Sequence, residues 1–461
     1  MATKEITAQI STKQSSTPST PSGIAGIYNE CKRIYPEQTN PLQVSALIKF
    51  WLGGPDPLDY VSMYVNDGNE ADGIPPHWHY VSFGLSDLHG DGRLHERSNG
   101  DGLSGYGFEL TFRLRREPDQ TTPPTWPATL MQTLSRYVFQ TQNTLCVGDH
   151  IPWNVPLDRS ESRIQHMLMA PDAQLKPITT DFGSLSFVQI VGICFEELKA
   201  AQQWNGNGVL ELLKSVNLPG GPWLITDMRR GESLFELDPS TQEKVDLGIE
   251  KDGSNLGGVS SKCFWDERDC CIYEDFVRDC KTQLPCESGR KDFSSEIDKN
   301  VISERDSLQI KETLKRGLIN TKPTLPPIKS RSRNPSNEKD APQELLQTRF
   351  LESVHISLNA ESAYLLPLVL RGRIKHGRHF TFKSIMNDSA ITFVSRDVEG
   401  AEVTDRKPYA CKGQWLQVLI SEELSQAMLS DLEESDQVNS LPLTYKWPEH
   451  HFSLTTVPDD I

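Results

Sequence analysis

Several features that mark common classes of protein are missing from this sequence of 461 residues. No apolar run approaches the length of a membrane-spanning helix, and the first residues lack the basic and apolar segments of a secretory signal, so we expect no membrane association. Basic residues do not balance the acidic ones, and the formal net charge is −16. Because nucleic-acid surfaces are normally basic, we expect no direct contact with nucleic acid and favour a basic or histidine-bearing partner.

The nine cysteines include no CxxC pair. Four stand singly, which is typical of reduced core cysteines in an intracellular protein: Cys31, Cys146, Cys194 and Cys411. The other five lie closer together without the spacing of a zinc site, and metal binding by them is left open: Cys263, Cys270, Cys271, Cys280 and Cys286.

Motifs of the common enzyme classes are also missing. The sequence contains no GxSxG elbow, P-loop, HExxH motif or set of kinase signatures. Residues 100–105 match the dinucleotide fingerprint GxGxxG by letter, but a strand pattern follows them, whereas the fingerprint must open a helix. Asp149 adjoins His150 without a recognisable nucleophile. We therefore predict a protein that is not an enzyme and holds no cofactor.

A strong strand signal does lie on either side of a glycine-rich loop. Residues 80–83 and 108–114 have the alternation of half-buried strands, which predicts a β-hairpin near the middle of a sheet, with one face in the core and one in water. His77 and His79 fall on one face of the first strand. We favour a packed or hydrogen-bonded pair, and the alternative is a metal-dependent hydrolase that uses both histidines with nearby acids.

Elsewhere, helix and strand patterns alternate without a regular βαβ rhythm, so we predict an α+β or mixed α/β fold of two domains. Residues 1–23 are predicted to form a disordered tail and 265–345 a linker or disordered insert, because both are polar and low in apolar residues. The N-terminal domain, 24–264, mixes sheet and helix, with helices predicted over 41–51 and 128–140. The C-terminal domain, 346–461, is predicted to be mostly β.

Long segments of both predicted domains carry a family resemblance: Trp51–Tyr64 (WLGGPDPLDYVSMY), His77–Leu88 (HWHYVSFGLSDL), Gly220–Glu232 (GGPWLITDMRRGE) and His376–Thr381 (HGRHFT). On these residues the chain resembles the Suppressor of fused family, in an insect-like form. The resemblance covers about 24–264 and 350–457 and leaves out the tail and the insert.

The resemblance implies a negative regulator of Hedgehog signalling in the cytoplasm and nucleus. Such a protein binds Gli/Cubitus interruptus zinc-finger transcription factors, retains them in the cytoplasm and represses their activity. A Fused-type kinase and a kinesin-like scaffold of the Hedgehog complex are further implied partners. In the family, a short peptide of the Ser-Tyr-Gly-His type lies as an added strand between the two domains.

Matching motifs carry the family's peptide-contacting positions onto Tyr137, Asp149, Asp172 and Leu365. This chain has Pro171-Asp172 where the family pattern has a Glu-Asp pair. The insert lacks the family's serine-rich cluster, and its candidate phosphorylation sites are Ser330, Ser332 and Ser336. An acidic two-domain protein without catalytic motifs suits peptide capture at a strand edge. A further alternative is a structural scaffold that binds its partners through the insert.

Overall fold

The computed structural model of the chain describes residues 20–97, 100–216, 220–267, 347–435 and 441–459. The predicted tail up to residue 19 and the predicted insert from residue 268 lie outside them, as do Ser330, Ser332, Ser336, Cys270, Cys271, Cys280 and Cys286. The chain divides into two compact units. Unit 1 comprises Met1–Cys146, Ala170–Val191 and Trp223–Asp227, and unit 2 comprises Val147–Met169, Gly192–Pro222 and Met228–Ile461.

Helices and strands are mixed along the chain, which confirms the predicted fold class. The strands of the part before residue 268 are β1 (Leu42–Ser45), β2 (Tyr60–Asn66), β3 (His77–Phe83), β4 (Leu103–Arg115), β5 (His150–Pro152), β6 (His166–Pro171), β7 (Ile178–Thr180), β8 (Gly183–Ile193), β9 (Gly258–Ser261) and β10 (Cys263–Asp266). Its helices are α1 (Ser22–Ile34), α2 (Trp126–Thr141), α3 (Phe195–Gln203), α4 (Gly206–Ser215), α5 (Leu234–Leu237) and α6 (Ser240–Asp252).

After residue 346, most elements are strands, as predicted: β11 (Arg349–Leu351), β12 (Val354–Asn359), β13 (Phe380–Ser384), β14 (Ala390–Val394), β15 (Tyr409–Lys412), β16 (Trp415–Leu419), β17 (Leu443–Trp447) and β18 (Phe452–Val457). The helices here are α7 (Ala360–Ala363), α8 (Leu366–Gly372) and α9 (Glu422–Ser435). Single 3-10 turns lie at Phe50–Leu52, Glu70–Asp72, Ile374–His376 and Pro448–His450. Among the described helices, none combines the length and apolar character that crossing a membrane would require.

The sheet of unit 1 has the order β1-β2-β3-β4-β8, with β7 beside β8. Strands β3 and β4 pair antiparallel, which confirms the predicted hairpin and its central place. The prediction that one face of this hairpin meets water is wrong. Every residue of β3 is buried, and Glu109, Thr111 and Arg113 of β4 are 0% exposed.

Helix α1 explains why the polar face of the hairpin is buried. Ile24, Ile27 and Cys31 of α1 pack in one cluster with Val81 and Phe83 of β3. On the opposite face of the sheet, the side chains of β3 and β4 meet the start of α2, where Phe112 contacts Trp126 edge to face. Both faces of the sheet are therefore covered, and the polar side chains must find partners inside unit 1.

The helix predicted over residues 41–51 is also wrong, since the structure has β1 there, followed by the 3-10 turn. Pairing of Leu42 with Met63 adds this segment to the sheet. The apolar stripe that suggested the helix is left exposed at Leu42, Leu47 and Trp51. By contrast, α2 confirms the helix predicted over 128–140 and buries its predicted stripe, including Leu134 and Val138.

Unit 2 contains a four-stranded sheet, β10-β12-β18-β17, and a six-stranded sheet, β11-β15-β16-β14-β13-β9. Its core is built around aromatic contacts, with Phe393 edge to face against both Phe382 and Phe452. Strand β9 and the first half of β10 lie within residues that we assigned to the N-terminal domain, and the rest of β10 lies in the predicted insert. Both strands nevertheless pair with strands of the C-terminal part, β13 and β12 respectively. Cys263 of β10 is buried and its thiol donates to the carbonyl of Phe382.

Candidate functional site

The buried polar face of β3 and β4 is centred on the carboxylate of Asp172. Its Oδ1 accepts hydrogen bonds from Arg113 at 2.9 Å and from the backbone N–H groups of Gln174 and Leu175 at 2.9 and 2.8 Å. Its Oδ2 accepts from His79 at 3.1 Å and from the Thr111 hydroxyl at 2.8 Å. All three partner side chains and the carboxylate lie inside unit 1. With five donors on its two oxygens, the acid is saturated with hydrogen bonds.

Arg113 supplies the positive charge of this cluster and has several further partners. Its Nε donates to Gln189 at 3.2 Å, and one terminal nitrogen donates to His77 Nε2 at 2.8 Å and to Gln174 at 3.1 Å. The guanidinium carbon also lies 5.3 Å from the centroid of the Trp223 ring. A buried charge needs such partners, because an unpaired one would be strongly destabilising.

The two histidines complete the cluster as neutral rings. His77 Nδ1 donates to the carbonyl of Pro75 at 2.9 Å, and His79 Nδ1 accepts from the Tyr35 hydroxyl at 2.9 Å. Burial, reinforced by the charge of Arg113, lowers the pKa of His77 to about 3 and that of His79 to about 4. Both nitrogens of each ring therefore bind protein groups, as the hydrogen-bonded interpretation predicted. In the part of the chain that the structure describes, no three His, Cys, Asp or Glu side chains are grouped to hold a metal.

These contacts bear on Asp172 as a peptide-contacting residue. Burial alone would raise the pKa of this carboxyl, but His79, Arg113 and the hydrogen bonds outweigh it and hold the pKa well below its ordinary value. The side chain is 0% exposed. Peptide contact by Asp172 stays a prediction, whereas a structural function follows directly from its partners.

Tyr137, carried over as a peptide contact, also belongs to unit 1. It lies on the buried side of α2 and is 5% exposed. Its hydroxyl accepts a hydrogen bond from the Asn143 side chain at 3.0 Å, just beyond the end of the helix. Peptide contact by Tyr137 stays a prediction, since these contacts equally suit a residue of the core.

Asp149 and Leu365, the other two carried-over positions, both belong to unit 2. Asp149 immediately precedes β5, the short strand that pairs antiparallel with β6, with Ile151 opposite Met167. The Asp149 carbonyl accepts from the N–H of Met169 at 2.8 Å. Since hydrogen-bonded and non-hydrogen-bonded pairs alternate in such a ladder, the backbone N–H and C=O of His150 point away from β6. Among the described residues no other strand pairs with β5, so this backbone edge is open.

A close contact between two glycines fixes the start of β5. Gly148 has a φ of +91°, which only glycine adopts readily, and a Cβ added at Gly206 would lie 2.0 Å from the Gly148 carbonyl oxygen. Gly206 opens α4, whose N-cap Asn205 accepts from the N–H of Gly208. Helix α4 thus sits directly against the residue before Asp149, and any side chain at Gly206 would displace it.

Helix α3 also packs against β5. Its buried Glu197 pairs with Arg230 and accepts a hydrogen bond from the N–H of Leu234 at 3.0 Å. These contacts hold the first turn of α3 in place. Its exposed face carries Phe195 and Lys199, one helical turn apart. Lys199 Nζ lies 5.8 Å from the centroid of the Tyr364 ring. Tyr364 directly precedes Leu365, so a side chain of α3 contacts the residue next to the carried-over leucine.

Comparisons with known proteins agree with the resemblance. The family model of the Suppressor of fused protein matches residues 54–231, and that of the Suppressor of Fused Gli/Ci N terminal binding domain matches residues 243–456. The Suppressor of fused homologs of mouse and human are each 55% identical over 456 residues, which cover 95% of this chain and 92% of theirs. The chain belongs to the Suppressor of fused family.

A solved structure supports the same assignment. The crystal structure of Drosophila Suppressor of fused matches with a TM-score of 0.68 and 36% identity, over 96% of this chain and 98% of that one. Because this chain is 55% identical to both the mouse and the human homolog, these comparisons give no support to an insect-like form.

Within this member of the Suppressor of fused family, sequence reasoning missed the exposed residues Phe195, Lys199 and Tyr364. The first two carried a usable signal, because an aromatic and a basic residue four positions apart share one face when the segment is a helix. Tyr364 carried none, since it stands in an apolar segment whose other residues are mostly buried.

Proposed function

We propose that this protein is a negative regulator of Hedgehog signalling that binds Gli/Cubitus interruptus transcription factors by adding a short peptide to the open edge of β5. The factor would thereby be retained in the cytoplasm and repressed. Membership of the family supports the pathway, and one of the two matching family models is described as a Gli/Ci binding domain. The protein would act by binding and not by catalysis.

The open edge of β5 is the observation that carries this proposal. A peptide in extended form would hydrogen-bond to the backbone of His150, which gives affinity without regard to sequence. Asp149, at the start of the strand, would select a peptide histidine through a charge-assisted hydrogen bond. Leu365 would supply apolar contact, since it is only partly buried against the core of unit 2. Tyr137 would contribute from unit 1, on the family resemblance alone.

The test is a binding titration of the purified protein with a synthetic peptide that contains Ser-Tyr-Gly-His. We expect Asp149→Arg to abolish binding, because it replaces attraction by repulsion, and Asp149→Asn to weaken it about tenfold or more. Asp246→Arg, the same change on the exposed face of α6, is the control and should bind normally. Equal binding by Asp149→Arg and by the wild type would refute the proposed site.

Family resemblance also supports the remaining proposals. We propose a Fused-type kinase and a kinesin-like scaffold as further partners, and location in both cytoplasm and nucleus. Co-precipitation from cells with each partner, and fractionation of the tagged protein, would test them separately from the peptide titration.

A further inference from the structure

Two arginines of unit 2 are held side by side without an acidic partner. Arg373 directly follows α8, and Arg378 lies shortly after the 3-10 turn Ile374–His376. Arg373 is only 8% exposed, yet no carboxylate among the described residues forms an ion pair with either guanidinium. A buried charge normally has a counterion, because an unpaired one is strongly destabilising. We call Arg373 and Arg378 the arginine pair.

Backbone carbonyls hold the arginine pair in place. Both guanidinium groups bind the carbonyl of Ser254, at 2.8 Å from Arg373 and 3.0 Å from Arg378. Arg373 Nε also donates to the carbonyl of His379 at 2.9 Å. Arg378 lies 3.5 Å from the carbonyl of Asp252, the last residue of α6. Basic side chains often bind carbonyls at the C-terminal end of a helix, where the negative charge is only about half a unit. These contacts explain where the two side chains lie, but they cannot neutralise two full charges.

The acids in this region do not supply the missing charge. Asp252 and Asp397 both have exposed side chains. Asp397 approaches the turn at Gly377, where an added Cβ would lie 3.4 Å from its Oδ2. In the part of the chain that the structure describes, neither carboxylate pairs with a guanidinium of the arginine pair. Burial and the charge of Arg378 lower the pKa of Arg373 to about 10, as expected for like charges without a counterion.

A gap beside Gly257 gives access to the arginine pair. A Cβ added at Gly257 would lie 3.7 Å from Nη2 of Arg373 and, apart from the adjacent residues, within 4 Å of no other atom. This Nη2 donates to none of the described residues. The Nδ1 of His379 is buried and also has no hydrogen-bond partner among them. Burial and the charge of Arg373 lower the pKa of His379 to about 4. Polar groups that lack partners are therefore gathered around the arginine pair.

We propose that the arginine pair binds the phosphate group of a phosphate monoester, which enters beside Gly257. The planar N–H forks of arginine match the spacing of phosphate oxygens. A phosphate monoester has three acceptor oxygens and a charge of about −1.5 to −2 at pH 7, so it neutralises both arginines. A carboxylate carries a single charge and would neutralise only one of them. We expect Nδ1 of His379 to donate to the bound phosphate as well.

The test is a phosphorus NMR titration of the full chain with phenyl phosphate and with inorganic phosphate, at constant ionic strength in chloride. It does not use the Ser-Tyr-Gly-His peptide. We expect both probes to bind, because they present the same group, and acetate to displace phenyl phosphate about tenfold more weakly than inorganic phosphate does. Binding of inorganic phosphate alone would overturn the assignment to an ester. Equal competition by acetate would show only a general attraction of anions and would overturn the proposal.

Arg378→Gln tests the arginine pair directly. It removes one charged donor, so phenyl phosphate should bind about tenfold more weakly or worse. Arg396→Gln is the matched control, because Arg396 is an exposed arginine of unit 2 that already pairs with Asp405 at 2.7 Å. This control should bind as the wild type does. Equal binding by folded Arg378→Gln and by the wild type would refute the site.

A second variant keeps both arginines. Gly257→Asp brings a carboxylate next to Nη2 of Arg373, where it would act as an internal counterion and exclude phosphate. The backbone at Gly257 does not have a positive φ, so it accepts a side chain. Gly257→Asn has the same size without the charge and should weaken binding much less. Thermal melting followed by circular dichroism checks that both variants fold. If they bind phenyl phosphate equally, charge does not decide binding and the proposal falls.

Discussion

Replacing Asp172 by asparagine tests whether this residue stabilises unit 1 or contacts a peptide. The substitution keeps the size of the side chain but removes its charge and turns one oxygen into an NH2 group. All the side-chain and backbone groups that face the carboxylate are donors, including those of Arg113, His79 and Thr111. An amide nitrogen among them would have nothing to donate to, and Arg113 would keep a buried charge without a counterion.

The expected loss of stability is large. Removing one partner of a buried ion pair costs about 3–5 kcal/mol, against a total stability of about 5–15 kcal/mol for a typical protein. In a domain of 150–250 residues, each kcal/mol lowers Tm by about 2–4 °C, so the decrease is roughly 6–20 °C. The cost of about 3–5 kcal/mol applies here because both side chains of the pair are 0% exposed.

Asp67→Asn is a matched control for this experiment. Asp67 pairs with Arg116 at 2.9 Å, the same distance as in the Arg113–Asp172 pair, but its side chain is 85% exposed. Exposed ion pairs contribute at most about 1 kcal/mol, so this variant should melt close to the wild type. Urea unfolding of both variants, followed by fluorescence and circular dichroism, gives the comparison.

Peptide titration at a temperature where both variants are folded completes the assay. We expect folded Asp172→Asn to bind the Ser-Tyr-Gly-His peptide as well as the wild type does. If instead it melts like the wild type and loses the peptide, the residue serves the site and our account of the cluster is wrong.

Three further predictions concern the same elements. The folded pKa values of His77 and His79, about 3 and about 4, lie below the ordinary value, so the unfolded chain binds more protons between about pH 4 and 6.5. The free energy of unfolding should therefore decrease from pH 7 to pH 5, by up to about 1.4 kcal/mol per pH unit for each ring. Urea unfolding at each pH measures it, and a flat profile would contradict this prediction. Gly206→Ala should weaken peptide binding, because its Cβ would overlap the Gly148 carbonyl; unchanged affinity would show that the position of β5 does not depend on this contact. Tyr137→Ala should lose about 3 kcal/mol of stability as a buried residue, while Tyr137→Phe should lose much less; a loss of peptide affinity without loss of stability in the alanine variant would instead support the contact inferred from the family.

The hairpin shows which features the sequence could predict and which it could not. Alternation identified both strands, their pairing and the shared face of His77 and His79, because side-chain direction in a strand has a fixed period. The same alternation wrongly placed Glu109 and Arg113 in water. The alternation of apolar and polar residues shows only that the two faces of a strand differ. It does not show whether another element covers the polar face.

Helix α1 was the missing element for the hairpin, because it covers the polar face. Its buried residues Ile24, Ile27 and Cys31 are spaced for a helix, but they lie close to the polar tail that hid the signal. The near-helical spacing of apolar residues in 41–51 separately predicted a helix, although strand pairing decides the structure there. At the candidate site, family motifs identified Asp149 and Leu365, while the contact of Lys199 with Tyr364 joins distant segments and no local pattern reveals it.

An open strand edge is a hazard for a soluble protein, since it can pair with any other exposed strand. Strand β5 limits that hazard through its length and its ends. It spans only His150–Pro152, and Pro152 has no N–H to offer. The carboxylate of Asp149 precedes the strand and would disfavour an acidic neighbour. What remains is a short backbone edge, mainly that of His150, which is too small to hold a generic strand firmly. On the proposed function, stable binding then needs side-chain contacts as well, with a histidine near Asp149 and an apolar residue near Leu365. The shortness of β5 is therefore the physical reason to expect that this edge is selective.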